Sequence, residues 1–493
     1  MESKLNALKE RIQAPYERKP NGTIGSEDES FVIRKDPRTS APIAPRLRHN
    51  NRLWLELRRA SGFVPVQGDK WHIMEGKDAF VEGVSEIVTD MGHQVEKVNK
   101  RAYTIEEAVA NVVSGRRLVS EAAGIMGSVH VAPGLLPFNA PDRNAMVDKS
   151  RYTMLAELYN NDIYLMCING SFQVHVKVGR DEAMDLLNAS QASSVAEYAW
   201  FANSPILDGK DTGYHSHRGM TWLKLIARDE YRRELDRGRV GITGPYENWD
   251  SWLEELVDRS FLFTKRLNDD GSDRYLSIAG LSGLRNGNAY GVITFRDYID
   301  KGSAVAYNPL TGKKERITLE DVDIAMHMHT WWTEARLTTH GTVEDRAPDN
   351  SGKTGHIAAM IAFKKGLYHN LKEAAAYADE FAVEELNRSR LRVVRYGFAY
   401  PTSPGEKEEP RDVMISKRNG EEITIQQFCE RWIEIANKGL KSIGETKSWL
   451  DPISQITADR RNDADRIIEA WNNPRLSERE RNEALLEIIR VDQ

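Results

Sequence analysis

The sequence predicts an α+β fold, and three observations carry that expectation. The segment Phe172-Gln-Val-His-Val-Lys-Val178 alternates apolar and polar residues strictly, as a half-buried strand does. Strand-like and helical patterns then follow one another, and residues 413–493 repeat their apolar positions mostly at helical spacing. Between these regions, Glu334-Ala-Arg336 and Glu344-Asp-Arg346 write one acid-and-base pair twice around residues 338–341, a hairpin connection in which Gly341 can take a left-handed backbone.

Each element has a local reason. Residues 2–13 read as an amphipathic helix ended by Pro15, and 23–33 as a strand. In that strand Glu27 and Glu29 share parity with Phe31 and Ile33, so two acids fall on an apolar face unless a bulge at Ser30 reverses the register. An unpaired buried carboxylate is costly, and a metal ion can compensate two at once. Residues 104–126 are helical, with Thr104 as N-cap and Glu107 completing a capping box, and a strand follows at 128–132. The 172–178 strand places Gln173, His175 and Lys177 on its polar face; a half-exposed sheet and a metal or phosphate site both fit that pattern. A helix over 182–201 leads into 202–218, a run rich in turn formers that includes Asn203, Tyr214 and Arg218. The segment 91–96 ends its alternation in Glu96, residues 402–412 hold a cluster of prolines and charges that reads as a linker, and Trp432, Trp449 and Trp471 read as packing residues. Side chains two apart share a strand face, so Glu334 and Arg336 share one face and Glu344 and Arg346 share another; the run makes either a solvated hairpin with cross-strand salt bridges or the wall of a metal and phosphate site.

Composition narrows the function classes. The 493 residues are 40% hydrophobic and 29% charged, which is ordinary for a globular protein, and 68 basic against 74 acidic residues give a net charge of −6. So mild a balance argues against nucleic-acid binding. The two cysteines form neither a metal pair nor a disulfide framework. Residues 1–20 lack the apolar core of a signal peptide and no run approaches a membrane span, so a cytoplasmic protein without membrane partners is expected.

Taken together, these segments resemble the second type of glutamate–cysteine ligase and its sister carboxylate–amine ligases, distant relatives of glutamine synthetase. Gly25-Ser-Glu27-Asp-Glu29 looks like the family's opening G-x-E-x-E strand, Gln94-Val-Glu96 like its Q-x-E, and Asn169-Gly-Ser-Phe-Gln-Val-His175 like its histidine strand. Residues 201–218 are similar to F-A-N-S-P-x-x-x-G-x-x-x-G-Y-x-S-x-R, the most specific motif. Thr294-Phe-Arg-Asp-Tyr298, the spacing from His327 to Glu334, and Glu344-Asp-Arg346-Ala-Pro-Asp349 also match ligase segments. The chain departs from the pattern at Ser30, at Trp332-Thr333 in place of Phe-Pro, and at His329, and its longer Thr-Thr-His-Gly turn resembles the carboxylate–amine branch.

The resemblance implies a glutamine synthetase-like fold: a curved, mostly antiparallel sheet with helices outside, a catalytic domain over 1–400, a linker at 401–412 and a helical region over 413–493 packed on it. It implies an ATP-dependent ligase that joins a carboxylate, the γ-carboxylate of glutamate, to an amine, that of cysteine, through an acyl phosphate in glutathione biosynthesis. Other acids, amines or peptides remain open as substrates, and a homodimer is one expectation. Glu27, Glu29, Glu96, His175 and Glu344 would hold Mg²⁺; Arg336 and Arg346 would stabilise the phosphoryl group, with Lys177 and His175 also on ATP. Arg218, beside Asn203 and Tyr214, would bind a substrate carboxylate, and Glu334 would either ligate metal or orient Arg336. Two other classes stay open: a transition-metal hydrolase using His327, His329 and His340, and a non-catalytic nucleotide-binding relative.

Overall fold

The longest strand, β1 (Ile24–Lys35), organises the main sheet. This computed structural model describes residues 2–16, 22–43, 52–57, 59, 64–66, 73–75, 83–138, 141–147, 149–226, 236–269, 271, 273–278, 293–401 and 411–492. The sheet also contains β2 (Val64–Val66), β3 (Ile73–Glu75), β4 (Val84–Thr89), β5 (Val95–Ala102), β6 (Phe172–Lys177), β7 (Ala335–Leu337) and β8 (Thr342–Asp345). Their spatial order is β7-β8-β6-β1-β5-β4-β3-β2, every pairing is antiparallel, and the sheet curls into a half-barrel. Short strands Pro42–Ile43 and Val129–Val131 add to β1. No bulge occurs at Ser30, which pairs with Val95; the irregularity lies between Ile24 and Ser26, so Glu27 and Glu29 keep a common face.

Helices back the sheet: α1 (Glu2–Gln13), α2 (Ile105–Ile125), α3 (Ala183–Phe201), α4 (Thr354–His369), α5 (Val383–Tyr396) and α6 (Ile425–Ser442). Thr104 caps α2 by accepting the Glu107 N–H at 3.1 Å. The expected reciprocal bond is displaced by one residue, because the Glu107 carboxylate accepts from the Tyr103 N–H at 2.8 Å. α3 is buried almost all round, between sheet and outer helices, which is why it lacks a polar face. The core runs without a break from α1 to the helices beyond residue 413. There α4 and α6 cross at two glycines: a Cβ on Gly439 would lie 1.9 Å from the Gly366 carbonyl oxygen. Trp432 is fully buried beside Tyr377, Trp449 is partly buried against the core, and Trp471 packs on Phe138, so all three are packing residues. Most of the expected linker, 402–410, lies outside the described residues.

Behind β1 lies a buried charged layer. Asp28, between the two glutamates, turns to the opposite face, where Arg116 of α2 donates to it through Nε at 2.8 Å and Nη2 at 3.1 Å. Asn350 donates at 2.8 Å and Lys97 lies 3.4 Å away. Burial alone would raise the Asp28 carboxyl, but these cations hold it well below the usual range. Residues 489–492 close this layer: Ala132 N–H donates to Ile489 O, Val491 N–H to His130 O and Asp492 N–H to Gly352 O, at 2.8, 3.1 and 2.9 Å.

His327 belongs to the core. On the helix Asp321–His329, its ring stacks on Phe295 at 4.3 Å and its Nε2 lies 2.8 Å from the Leu256 carbonyl, to which it donates. Among the described residues it joins no ligand set with His329 and His340, so the hydrolase reading finds no support. No described helix is long and apolar enough to cross a membrane.

Burial, reinforced by Arg239, holds His327 neutral well below the ordinary histidine pKa, so the unfolded chain takes up a proton that the native state refuses. Its contribution is present above a pH of about 6.5 and declines by about 1.4 kcal/mol for each unit below. Denaturant titrations at neutral and mildly acidic pH should show wild type losing more stability than His327→Phe; equal losses would refute the assignment. Gly439→Ala should cost about 1–3 kcal/mol by forcing α4 and α6 apart, read as a lower denaturation midpoint.

Candidate active site

Register alone draws a row of functional groups across the sheet. Glu29 stands opposite Glu96, Glu27 opposite Gln173, His175 opposite Glu344, and Glu344 opposite Arg336. Directly opposed residues share a face, so the row lies on one side, away from Asp28. It floors a cavity of about 1170 Å³ measured to its open mouth. The other walls come from Arg151, Tyr152, Leu155, Ile163 and Met166, from Tyr198 of α3, from Arg218, and from Arg390 of α5.

The acids form two groups, Glu29–Asp90–Glu96 and Glu27–His175–Glu344, each with its ligand atoms within 4.8 Å of one another. In the first, like charges are crowded. Burial, then the Asp90 carboxylate, pushes Glu29 up to about 7 despite Arg218 and Arg346, and burial with Glu27, Asp90 and Glu29 raises Glu96 well above the usual range. Glu29 is oriented by the Ser171 N–H and hydroxyl at 2.7 and 2.8 Å and by Gln173 Nε2 at 3.1 Å. In the second, His175 Nε2 lies 3.4 Å from Glu27 Oε1. Burial would lower His175, but Glu27 and Glu344 raise it. Carboxylates short of positive charge, with one imidazole, suit a hard divalent cation. The donor set fits the magnesium expected there.

The guanidiniums take the other end of the row. Arg336 grips Glu344 through Nε at 2.6 Å and Nη2 at 3.0 Å, while Arg346 donates to Glu344 and, at 3.0 Å, to Gln173 Oε1. Burial would raise Glu344; Arg336, Arg346 and His175 outweigh it and keep the carboxylate ionised. Oε1 accepts from both arginines, whereas Oε2 accepts only from Arg336 Nε and keeps a lone pair with which Glu344 can ligate. Glu334 lines the cavity but does not orient Arg336. It accepts from the Tyr198 hydroxyl at 2.8 Å and is paired with Arg390. Arg218 reaches the wall with its Nη groups donating to the Ala347 and Arg346 carbonyls, both at 2.9 Å.

Glu27, Glu29, Glu96, Arg218, Glu334, Arg336 and Arg346 therefore line the cavity, with His175 and Glu344 beside them. Lys177, Asn203 and Tyr214 do not. Lys177 donates to the Pro15 and His340 carbonyls. Asn203 is buried, its amide spanning the Gly134 N–H and Asn350 O, and Tyr214 packs near His217, Lys224 and Arg395. Apart from Arg218, the turn-rich loop is thus scaffold, pinned by Asp349, which accepts from Ser204, Ser216 and the Asn203 N–H. Sequence reasoning missed Asp90, Arg151, Tyr152, Tyr198 and Arg390. Asp90 stands one residue before the alternating segment 91–96, while Arg390 is one of several arginines on α5 with nothing local to distinguish it.

The Glutamate-cysteine ligase family 2 (GCS2) profile matches residues 59–487. A Corynebacterium efficiens protein provisionally named glutamate–cysteine ligase 2-1 is 24% identical over 250 residues, 50% of this chain and 54% of that protein. The chloroplastic glutamate–cysteine ligase of Medicago truncatula is 23% identical over 424 residues, 81% of this chain and 71% of that one. The chain spans about half the length of the bacterial relatives it matches. Among solved structures, a bifunctional glutathione synthetase from Pasteurella multocida is similar over 98% of this chain and 54% of that chain, at 11% identity and a TM-score of 0.46. With its profile matched from residue 59 to residue 487, the chain belongs to glutamate–cysteine ligase family 2.

Proposed function

We propose that the protein is an ATP-dependent carboxylate–amine ligase that joins the γ-carboxylate of glutamate to the amine of cysteine. The observation that carries this reading is the single row of two acid groups and two arginines on one sheet face. Family membership and the relatives' names support the substrates. The substrate carboxylate attacks the γ-phosphorus of ATP and ADP leaves; the amine then attacks the acyl carbon, phosphate leaves and the amine gives up a proton. Magnesium held by Glu27, His175 and Glu344, and by Glu29, Asp90 and Glu96, supplies charge neutralisation for the phosphates. Arg336 and Arg346, already aligned by Glu344, hold the phosphoryl oxygens without reorganising. Arg218 takes a substrate carboxylate at the far wall.

Mg-ATP incubated with a matrix of amino acids and amines tests the reading, with ADP and product mass followed together. Glutamate plus cysteine should release ADP and yield a product of the summed mass less one water; ADP release with no pair of substrates would sink it. Glu344→Gln should lower turnover by about 10²–10³-fold with the fold intact, since it removes a charge that aligns both arginines. Chelation with EDTA should abolish turnover, and added Mg²⁺ should restore it. Mg²⁺ should also raise the melting temperature of wild type more than that of Glu96→Gln, because a ligand stabilises only the state that binds it.

A further inference from the structure

The hairpin turn between β7 and β8 carries a hydroxyl pair whose geometry bears on His175. Thr342 Oγ1 lies 2.7 Å from Thr338 Oγ1 and 3.3 Å from His175 Nδ1. Thr338 Oγ1 also accepts the His340 N–H at 3.2 Å. When Thr342 donates its own hydrogen to Thr338, its lone pair is left facing Nδ1. On the other side of the ring, Nε2 is buried, lies 3.4 Å from Glu27 Oε1 and faces Glu27 and Glu344.

The turn is held from a distant part of the chain. The Tyr16 hydroxyl, fully buried, donates to the Thr338 carbonyl at 2.7 Å with the Thr342 carbonyl 3.2 Å away. Lys177 ties the Pro15 and His340 carbonyls together at 2.7 and 2.8 Å. Gly341 sits at φ +73°, and a Cβ there would come within 2.4 Å of Pro15 O. Residues 15 and 16 thus brace the turn from one side while β6 braces it from the other.

We propose that Thr342 is a positioning residue that keeps the His175 proton on Nδ1, so that the Nε2 lone pair is offered to a divalent cation between Glu27 and Glu344. This rests on the metal half of the proposed function. An imidazole presents only one lone pair, and whichever nitrogen is bonded by an acceptor becomes the donor. Fixing the ring and tautomer through the far nitrogen raises metal affinity by about 10–100-fold in comparable sites. Thr342 is not among the residues lining the cavity, so it reaches a cation there through His175.

The test compares wild type, Thr342→Val and Thr342→Ser. Mn²⁺ binding is measured by calorimetry, and the protonated nitrogen of His175 by ¹⁵N NMR of Mg²⁺-loaded protein at alkaline pH. Thr342→Val, equal in shape but without the hydroxyl, should weaken Mn²⁺ binding by about 10–100-fold, and Thr342→Ser should recover it. Unchanged Mn²⁺ affinity in Thr342→Val, with wild type binding normally, overturns this inference and leaves the ligase reading standing. Absence of Mn²⁺ binding in wild type overturns both. The wild-type spectrum decides even if the valine variant folds poorly: a proton on Nε2 in the loaded protein refutes the proposal, and one on Nδ1 supports it.

Discussion

The two-residue period of β1 is the constraint on which the rest of the molecule depends. Because alternate side chains leave a strand on opposite sides, Glu27 and Glu29 must face the cavity if Asp28 faces the helices. Arg116 and Lys97 hold Asp28 on the helix side with charge that has no access to water. A slip of one residue would expose that pair to the cavity and drive two carboxylates into the core, at a cost no folded chain would bear. The ion pair behind the sheet therefore sets the register of the acids in front of it. Antiparallel pairing then carries that register outward, to Glu96 on one flank and to His175, Glu344 and Arg336 on the other.

The cavity is electrostatically lopsided. At the hairpin end every acid has a basic partner: Glu344 has Arg336 and Arg346, and Glu334 has Arg390. At the β5 end Glu29, Asp90 and Glu96 face one another with too little positive charge nearby, and two of them are pushed toward protonation. A polyanion with bound cations is the kind of ligand that matches such a gradient, its metals toward the crowded acids and its bare oxygens toward the guanidiniums. Burial sharpens the contrast at both ends, since charges removed from water are screened little by salt.

How much of this could be read from sequence depends on whether a residue's partner lies on a neighbouring strand or across the fold. Strand period places Glu27, Glu29 and His175 correctly, and the hairpin between the two acid-and-base pairs forms where Gly341 marks it. The cross-strand pairing of Arg336 with Glu344 follows from the register of the hairpin itself and is the salt-bridged alternative that the sequence allows. Arg390 and Tyr198 have no local signal: each is one polar residue on a long helix, and only the packing of α3 and α5 aims them at Glu334. The loop at 202–218 shows the opposite error. Its polar, turn-rich composition suggests binding, yet most of those groups are consumed by Asp349 and by backbone amides. The same composition serves to satisfy a buried loop as to meet a ligand.

The seal that residues 489–492 place over His130 and Gly352 has a consequence for how the chain reaches this state. Arg116 also donates to the Gly352 carbonyl, at 3.4 Å, so the shell around Asp28 includes groups separated by more than four hundred positions. Contacts of such sequence separation are entropically slow to close. While the polypeptide is leaving the ribosome, β1 and α2 can meet, but the segment that covers their ion pair has not been made. The cover over the central strand's ion pair is therefore completed only once residues 489–492 have been made.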